Sequence, residues 1–177
     1  RITGVVREVR RAIAWDDKNI AKNNGDPKRI YESGHSAGGH LTGMMIATDW
    51  SKEGRLTKDL IKGTAPLSGL FDIEPHRHSQ LQPDIRLTAK EAKAMSPMYL
   101  PPFAKGPSIV AVGGAEPALF HWQPLQYAAR PRCHRNQAGD VPARRQAAGR
   151  EGHPHPAQHV GRGPPHGLYR LGLPGHR

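Results

Sequence analysis

The chain has 177 residues, a formal net charge of +11 and a single cysteine, Cys133. This length is sufficient for one domain with a hydrophobic core, and the lack of any apolar run of about 18 residues argues against a transmembrane helix. A single cysteine excludes an internal disulfide and provides no metal-ligand spacing.

Residues 3–22 have the pattern of an amphipathic helix. Apolar residues recur at steps of three and four, from Val5 to Ala14, which places them on one helical face. The sequence NNGDP that follows predicts the end of this helix. Arg1 lies inside the helical pattern without an initiating Met or a leader, so we expect that an upstream part is missing, and a cytoplasmic location is favoured.

The motif Gly-His-Ser-Ala-Gly at residues 34–38 lies between a short apolar segment, RIYES, and apolar residues at helical spacing. This order predicts a strand over residues 29–33, a strained turn at Ser36, and a helix from about Ala37 to Thr48. Small residues around the serine permit close approach of the backbone, which Gly34, Gly38 and Gly39 provide. We therefore expect Ser36 to be a catalytic nucleophile and the Ala37 N–H to contribute to an oxyanion hole. A glycine-rich turn with a bystander serine is the alternative.

Two histidines flank the serine, but neither is well placed to act as its base. His35 is adjacent to Ser36 on a strand end and should point to the opposite face, and His40 lies one turn along the helix. A catalytic triad is defined by geometry and not by adjacency in sequence. We therefore expect both histidines to pack against, or to support, the residues around them.

Two later segments have the pattern of buried strands. IKGTAPLSG at residues 61–69 and SIVAVGG at residues 108–114 are short, apolar and followed by glycine. A helical stretch, TAKEAKAMSP, lies between them. Strands that alternate with helices predict an α/β fold with a central parallel sheet covered on both faces. In such sheets, functional residues collect at the carboxyl ends of the strands.

Two carboxylates follow these strands and are candidates for the acid of a triad. Asp72 lies in SGLFDIEP and Glu116 lies in VGGAEPALF. A carboxylate at either place could hold the tautomer of a catalytic histidine. Glu116 is the preferred candidate because it follows the glycine pair that ends a clearly buried strand. A purely structural role for both residues is the alternative.

The composition changes near residue 124. Residues 1–123 contain 17 Lys and Arg against 13 Asp and Glu, whereas residues 124–177 contain 9 against 2. The second segment has no Lys, Ile or Phe but has 8 Pro and 8 Gly, so it cannot bury enough apolar surface to offset the entropy of ordering. We expect a poorly ordered tail with little regular structure. A reading-frame shift near residue 124 of a GC-rich gene is the preferred explanation, and a genuine basic tail is the alternative.

Three tail histidines, His153, His155 and His159, lie close together in HPHPAQH. Neither a carboxylate nor a cysteine accompanies them, and prolines stiffen their spacing. The sequence therefore does not favour a metal site here.

Residues 4–123 resemble the middle of an α/β-hydrolase. More narrowly, they resemble the branch that contains small carboxylesterases and arylformamidases, also called kynurenine formamidases. The segments that carry the resemblance are AIAWDDKNIAKNNGDPKRIYESGHSAGGHL, PLSGLFDIEP, SPMYL and VGGAEPALFHWQ. The resemblance implies Ser36 as nucleophile and Glu116 as acid, in agreement with the residue patterns.

The resemblance also implies two parts that this sequence lacks. Members carry a His-Gly-Gly type oxyanion loop upstream of the serine and, after the acid, a triad histidine in a segment resembling Gly-x-Asp-His-Phe-Thr. Residues 161–167, GRGPPHG, can encode Gly-Ala-Asp-His-Leu-Thr when their codons are read one nucleotide later, as a frame shift predicts. We therefore expect residues 1–123 to form a hydrolase core fragment of impaired activity. His166 is the first candidate for the base if the chain is active as it stands.

The resemblance implies hydrolysis of a small-molecule carboxylic ester or N-formyl aryl amide without a metal or organic cofactor. The alternative, from a different class of function, is a non-catalytic basic module whose tail binds nucleic acid or an anionic surface. The tail offers only Tyr127 and Tyr169 for base stacking and contains no nucleic-acid-binding motif. We therefore expect neither a nucleic acid nor a membrane as partner, and the sequence leaves the oligomeric state open.

Overall fold

The computed structural model describes residues 1–54 and 56–130 and the backbone of residues 168–173. The α-helices are α1 (Ile2–Asn19), α2 (Ala37–Ile46), α3 (Gln82–Ile85), α4 (Ala89–Ala94) and α5 (Ala118–Ala128). The strands are β1 (Ile30–His35), β2 (Ile61–Leu67), β3 (Ser108–Gly113) and β4 (Leu168–Leu173). Short 3-10 helices occupy Ile20–Asn23, Pro27–Arg29, Trp50–Lys52, Glu74–His78 and Pro97–Tyr99.

The strands form one sheet in the order β1-β2-β3-β4. The first three run parallel, with Ser33 beside Ala65 and Leu67 beside Ala111. Parallel neighbours require a crossover connection, and α2, which packs on β1 and β2, belongs to the first of these. The predicted α/β class with a parallel sheet and flanking helices is confirmed. The carboxyl ends of β1, β2 and β3 therefore meet at one edge of the sheet.

The hydrophobic core lies between the helices and one face of this sheet. One cluster joins α1 and α2 to the chain around the start of β2, and it contains the buried residues Val6, Ile13, Met44, Met45, Trp50, Leu56, Leu60 and Ile61. A second cluster joins α2, β3 and α5, and it contains Ile46, Phe71, Met98, Val110 and Tyr127. The Phe71 and Tyr127 rings stack with centroids 4.0 Å apart. Burial of these side chains fixes α5 against the sheet.

The first helix ends slightly earlier than its sequence pattern suggests. α1 stops at Asn19, and the chain continues as a 3-10 turn until Asn24 adopts a left-handed φ of 62°. Asparagine tolerates this conformation better than most residues, which explains why NNGDP terminates the helix. Within the described residues, no helix has both the length and the apolar character that crossing a membrane requires.

The opposite face of the sheet is open in the described part of the chain. Tyr31 is 64% exposed, and Leu67 and Ile109, which point to the same side, are 41% and 37% exposed. The expectation that helices cover both faces is therefore wrong for these residues. On each strand, these exposed residues alternate with residues that face the helices.

Strand β4 lies in the segment for which we expected little regular structure. Residues 168–173 pair antiparallel with β3. Their sequence, LYRLGL, alternates apolar residues in part, and the edge of β3 offers unpaired backbone groups to such a segment. These six residues are the part of the expected tail that forms a strand, and residues 131–167 and 174–177 lie outside the described part, so the expectation of little regular structure stays a prediction there.

Helix α5 crosses the predicted boundary between residues 123 and 124. Pro124 lies inside this helix and lacks the N–H that an interior helical residue donates. Tyr127, beyond the boundary, is buried against Phe71. The chain thus remains packed on the core for several residues after its composition begins to change.

Candidate active site

Ser36 lies in a sharp turn between β1 and α2, which we call the serine turn (residues 34–38). Its φ of 57° and ψ of −114° are values that residues other than glycine rarely adopt. Its N–H donates to the Leu67 carbonyl at 2.9 Å, and its carbonyl accepts the His40 N–H at 3.0 Å. The predicted order of strand, strained turn and helix is confirmed, with the helix ending at Ile46.

Close backbone contacts require glycine at two positions near the serine. A Cβ atom at Gly34 would lie 2.5 Å from the carbonyl carbon of Gly38, and one at Gly39 would lie 2.7 Å from the Cα of Gly69. No atom lies within 4 Å of a Cβ built at Gly38. The steric argument is therefore right for Gly34 and Gly39 and wrong for Gly38, which lies in the first turn of α2 facing open space.

The Ser36 hydroxyl has no hydrogen-bond partner within the described residues. Ala37 is the first residue of α2, where backbone N–H groups have no acceptor inside the helix. The positive end of the helix dipole favours negative charge at this position. The turn therefore carries a hydroxyl and an N–H group on adjacent residues.

The two histidines beside the serine have different environments. His40 is buried, with Nε2 2.7 Å from the Met95 carbonyl. Burial lowers the pKa of His40, the bond to Met95 opposes this effect, and the nearby His76 adds to it. His40 thus packs against the residues around it, as expected. His35 is exposed on the open face of β1, so its side chain does not pack in the interior.

Glu116 lies directly after β3 in what we call the acid loop (residues 113–117). Its Oε1 accepts the Gly113 N–H at 3.0 Å and the Ser68 hydroxyl, and its own N–H donates to the Gly113 carbonyl at 3.1 Å. A Cβ at Gly113 would lie 2.8 Å from Oε1, so glycine allows the carboxylate to lie against the backbone. Oε2 makes no hydrogen bond within the described residues.

The end of β2 contacts both the serine turn and the acid loop. The Leu67 carbonyl accepts the Ser36 N–H, and the Ser68 hydroxyl donates to Glu116. Ser68 is 4% exposed and has a left-handed φ of 46°. Sequence reasoning missed Ser68, although its place directly after a buried strand was a usable signal.

Asp72 is occupied by contacts within the loop after β2. Its carboxylate accepts the Tyr99 hydroxyl at 2.8 Å and the Glu74 N–H at 3.0 Å, and the first of these bonds raises the pKa of Tyr99. Gln123, 1% exposed, accepts the backbone N–H groups of Phe71 and Asp72 and donates to the Asp72 carbonyl. These contacts favour a structural role for Asp72.

His76 is another residue that sequence reasoning missed. Burial lowers its pKa, and the charge of Asp72 partly opposes this effect. Its Nδ1 atom is buried without a hydrogen-bond partner in the described part of the chain. His76 lies in the 3-10 helix Glu74–His78, and its place four residues after Asp72 was the available signal.

Glu32 is a buried carboxyl group on the helix-covered side of β1. Burial raises its pKa from 4.5 to about 7, and a hydrogen bond with the Thr42 side chain opposes the shift. The Thr42 hydroxyl also donates to the Gly38 carbonyl at 3.1 Å. Oε2 of Glu32 has no partner within the described residues.

No cluster of three or more His, Cys, Asp or Glu side chains suited to a metal ion occurs among the described residues. Cys133 and the tail histidines, among them His153, His155, His159 and His166, lie outside those residues. The roles expected or not expected of these residues therefore stay predictions.

Comparisons with known proteins point to hydrolases. No protein-family model matches the chain. It is 30% identical over 128 residues to a kynurenine formamidase of Salmo salar, which covers 70% of this chain and 42% of that protein. It is 31% identical over 93 residues to a kynurenine formamidase of Danio rerio, which covers 52% of this chain and 30% of that protein.

A solved structure shares the fold. The crystal structure of a protein from Silicibacter sp. TM1040, provisionally described as a thioesterase, matches with a TM-score of 0.60 and 28% identity. The match covers 72% of this chain and 46% of that one. The chain thus spans less than half the length of each relative. These similarities support a hydrolase or esterase-like family, and none of them supports the nucleic-acid-binding alternative.

Proposed function

We propose that this chain carries the serine and the acid of an α/β-hydrolase that cleaves carboxylic esters or N-formyl aryl amides. The observation that carries the proposal is the serine turn, where a strained backbone holds Ser36, whose hydroxyl has no hydrogen-bond partner within the described residues, directly before Ala37 at the start of α2. A turn of this form at the carboxyl edge of a parallel sheet is the setting in which a Gly-x-Ser-x-Gly serine acts as a nucleophile. The similarity to kynurenine formamidases supports the substrate class.

In the proposed reaction, Ser36 Oγ attacks the carbonyl carbon and its proton passes to a histidine. The oxygen of the tetrahedral intermediate accepts the Ala37 N–H. The intermediate collapses to an acyl-enzyme, and the alcohol or aryl amine leaves with the proton from the histidine. Water then attacks the acyl-enzyme by the same route, which releases the carboxylic acid, or formate from an N-formyl amide, and restores Ser36.

The histidine of this reaction is not among the partners of Ser36 or Glu116 in the described residues. We propose that Glu116 Oε2 accepts the N–H of that histidine. We further propose that residues 1–123 form the core fragment, that residues 124–177 follow a frame shift, and that turnover by this chain is impaired. If the chain turns over at full rate, His166 is the first residue to test, by His166→Ala.

Acylation of Ser36 tests the proposal without requiring turnover. The 177-residue chain is incubated with p-nitrophenyl acetate, with and without added imidazole as an external base, and the acetylated peptide is identified by mass spectrometry. We expect one acetyl group on Ser36, formed faster with imidazole, and none in Ser36→Ala.

Ser33→Ala is the matched control, because Ser33 is an exposed serine on β1, three residues before Ser36. This variant should react like the unaltered chain. Acetylation that is spread over surface groups and unaffected by Ser36→Ala would refute the proposed nucleophile.

A further inference from the structure

The side chain of Ser68 is placed where it can act on the candidate acid. Ser68 follows β2 and is buried, and its hydroxyl donates to Oε1 of Glu116, 48 residues further along the chain. Its N–H donates to the Ala111 carbonyl of β3 at 2.7 Å. Both bonds tie the end of β2 to the strand that carries the acid loop.

The carboxylate of Glu116 is thereby held from two sides. Gly113 N–H and the Ser68 hydroxyl both donate to Oε1, which fixes the rotation of the carboxyl group. Oε2 has no partner in the described part of the chain and is the atom left to bind an imidazole. Because both donors bind Oε1, Oε2 is left in a defined position as an acceptor. A carboxylate held in this way can orient a histidine ring through the ring N–H.

The backbone of Ser68 supports a role beyond packing. Its φ of 46° is left-handed, a conformation that favours glycine, and it persists where surrounding contacts compensate the strain. Glycine at position 68 would adopt this conformation with less strain. The side-chain hydroxyl is the feature of Ser68 that glycine could not supply.

We propose that Ser68 is a positioning residue that orients Glu116 toward the catalytic histidine. This inference rests on the proposed function, because it gives Glu116 the part of the triad acid. Ser68 itself does not touch substrate, and it acts only through the carboxylate. Loss of its hydroxyl should weaken the binding of an imidazole beside Ser36 more than it slows the reaction once the imidazole is bound.

The test measures the rate of Ser36 acetylation against imidazole concentration in the 177-residue chain. Ser68→Gly removes the hydroxyl and tolerates the left-handed backbone. We expect the half-saturating imidazole concentration to rise about tenfold, the effect of losing one hydrogen bond to a charged group, with a smaller change in the maximal rate. Ser68→Cys, which is close to serine in shape and keeps a weak S–H donor, should raise the half-saturating concentration less than Ser68→Gly does.

Two further variants separate positioning from stability. Thr64→Val removes a buried hydroxyl that bonds Ser108 at 2.9 Å on the same two strands, away from Glu116, so it should lower thermal stability and leave imidazole saturation unchanged. Gly113→Ala places a Cβ against Glu116 Oε1 and should weaken saturation as Ser68→Gly does. This second variant keeps the test decisive if a Ser68 variant fails to fold.

The outcomes distinguish this inference from the proposed function. Acetylation of Ser36 with unchanged imidazole saturation in Ser68→Gly and Gly113→Ala overturns the positioning role and leaves the nucleophile intact. Absence of Ser36 acetylation in the unaltered chain at every imidazole concentration overturns both. If the unaltered chain is acetylated at a rate that does not depend on imidazole, a base within the chain acts on Ser36. The dependence of the acetylation rate on pH then replaces the imidazole titration. The pH midpoint of acetylation should then fall in Ser68→Gly, because the imidazolium loses its carboxylate neighbour.

Discussion

The serine turn follows β1 and the acid loop follows β3, at the same edge of the sheet, but different interactions determine their conformations. Close backbone contact shapes the serine turn, where Gly34 meets Gly38, and no side chain among the described residues binds the Ser36 hydroxyl. Hydrogen bonds to a side chain shape the acid loop, where two donors hold one oxygen of Glu116. The position of Ser36 therefore depends on the absence of Cβ atoms at nearby glycines, and that of the Glu116 carboxylate depends on its two hydrogen-bond donors.

This difference gives each region its own sensitivity. Added volume should disrupt the serine turn, whereas loss of charge or of a donor should disrupt the acid loop. Glu32 provides a contrast, since its Oε2 has no partner within the described residues and burial raises its pKa.

The largest expected effect comes from neutralising the acid. Glu116→Gln should slow imidazole-assisted acetylation of Ser36 by about 1,000-fold, because the amide cannot stabilise the imidazolium or hold its tautomer. The rate of p-nitrophenolate release and the mass of the Ser36 peptide measure this effect.

Asp72→Asn and Glu32→Gln are the matched carboxyl controls, and both should retain most of the rate. A greater loss in Asp72→Asn than in Glu116→Gln would transfer the acid role to Asp72. The acid loop would then have no part in the reaction.

Adding one methyl group should separate two glycines of the same motif. Gly34→Ala should lower the free energy of unfolding by at least about 3 kcal/mol, because its Cβ meets backbone atoms that cannot move aside. Gly38→Ala has open space and lies in a helix, so it should be neutral or more stable by about 0.5 kcal/mol. Urea unfolding measures both changes, and equal losses in the two variants would contradict the steric account of the serine turn.

The buried Glu32 should make stability depend on pH. Its pKa is 4.5 when unfolded and about 7 when folded, so the folded state keeps the proton longer. Its contribution to stability is complete below pH 4.5 and is lost as the pH rises through 7. Glu32→Gln should therefore match the unaltered chain at pH 4 and exceed it by at most about 3 kcal/mol at pH 8.

Urea unfolding across this pH range measures the difference between the two chains. Glu8→Gln, at an exposed glutamate of α1, should leave the pH dependence as it is. A constant difference between Glu32→Gln and the unaltered chain at all pH values would show that Glu32 is ionised in the folded protein.

Local patterns predicted the serine turn well, because glycine spacing and the order of strand and helix are written within about 20 residues. The support of Glu116 could not be predicted in this way. Ser68 and Glu116 are 48 residues apart, and their contact exists only because β2 and β3 are neighbours. The roles of Gln123 and Tyr99 beside Asp72 are hidden for the same reason.

The sheet shows a second limit of local reasoning. Alternation within β1 gives two faces, but it does not say which face meets a helix. The prediction that both are covered was wrong for Tyr31 and Leu67. Strand β4 was missed because its composition resembles a segment without a core, whereas pairing depends on the free edge of β3.

Two consecutive residues at the end of β2, Leu67 and Ser68, bind both regions. The Leu67 carbonyl accepts the Ser36 N–H, and the Ser68 side-chain hydroxyl donates to Glu116. An insertion or deletion at this point would displace nucleophile and acid together, so the length of the chain here is fixed by two constraints.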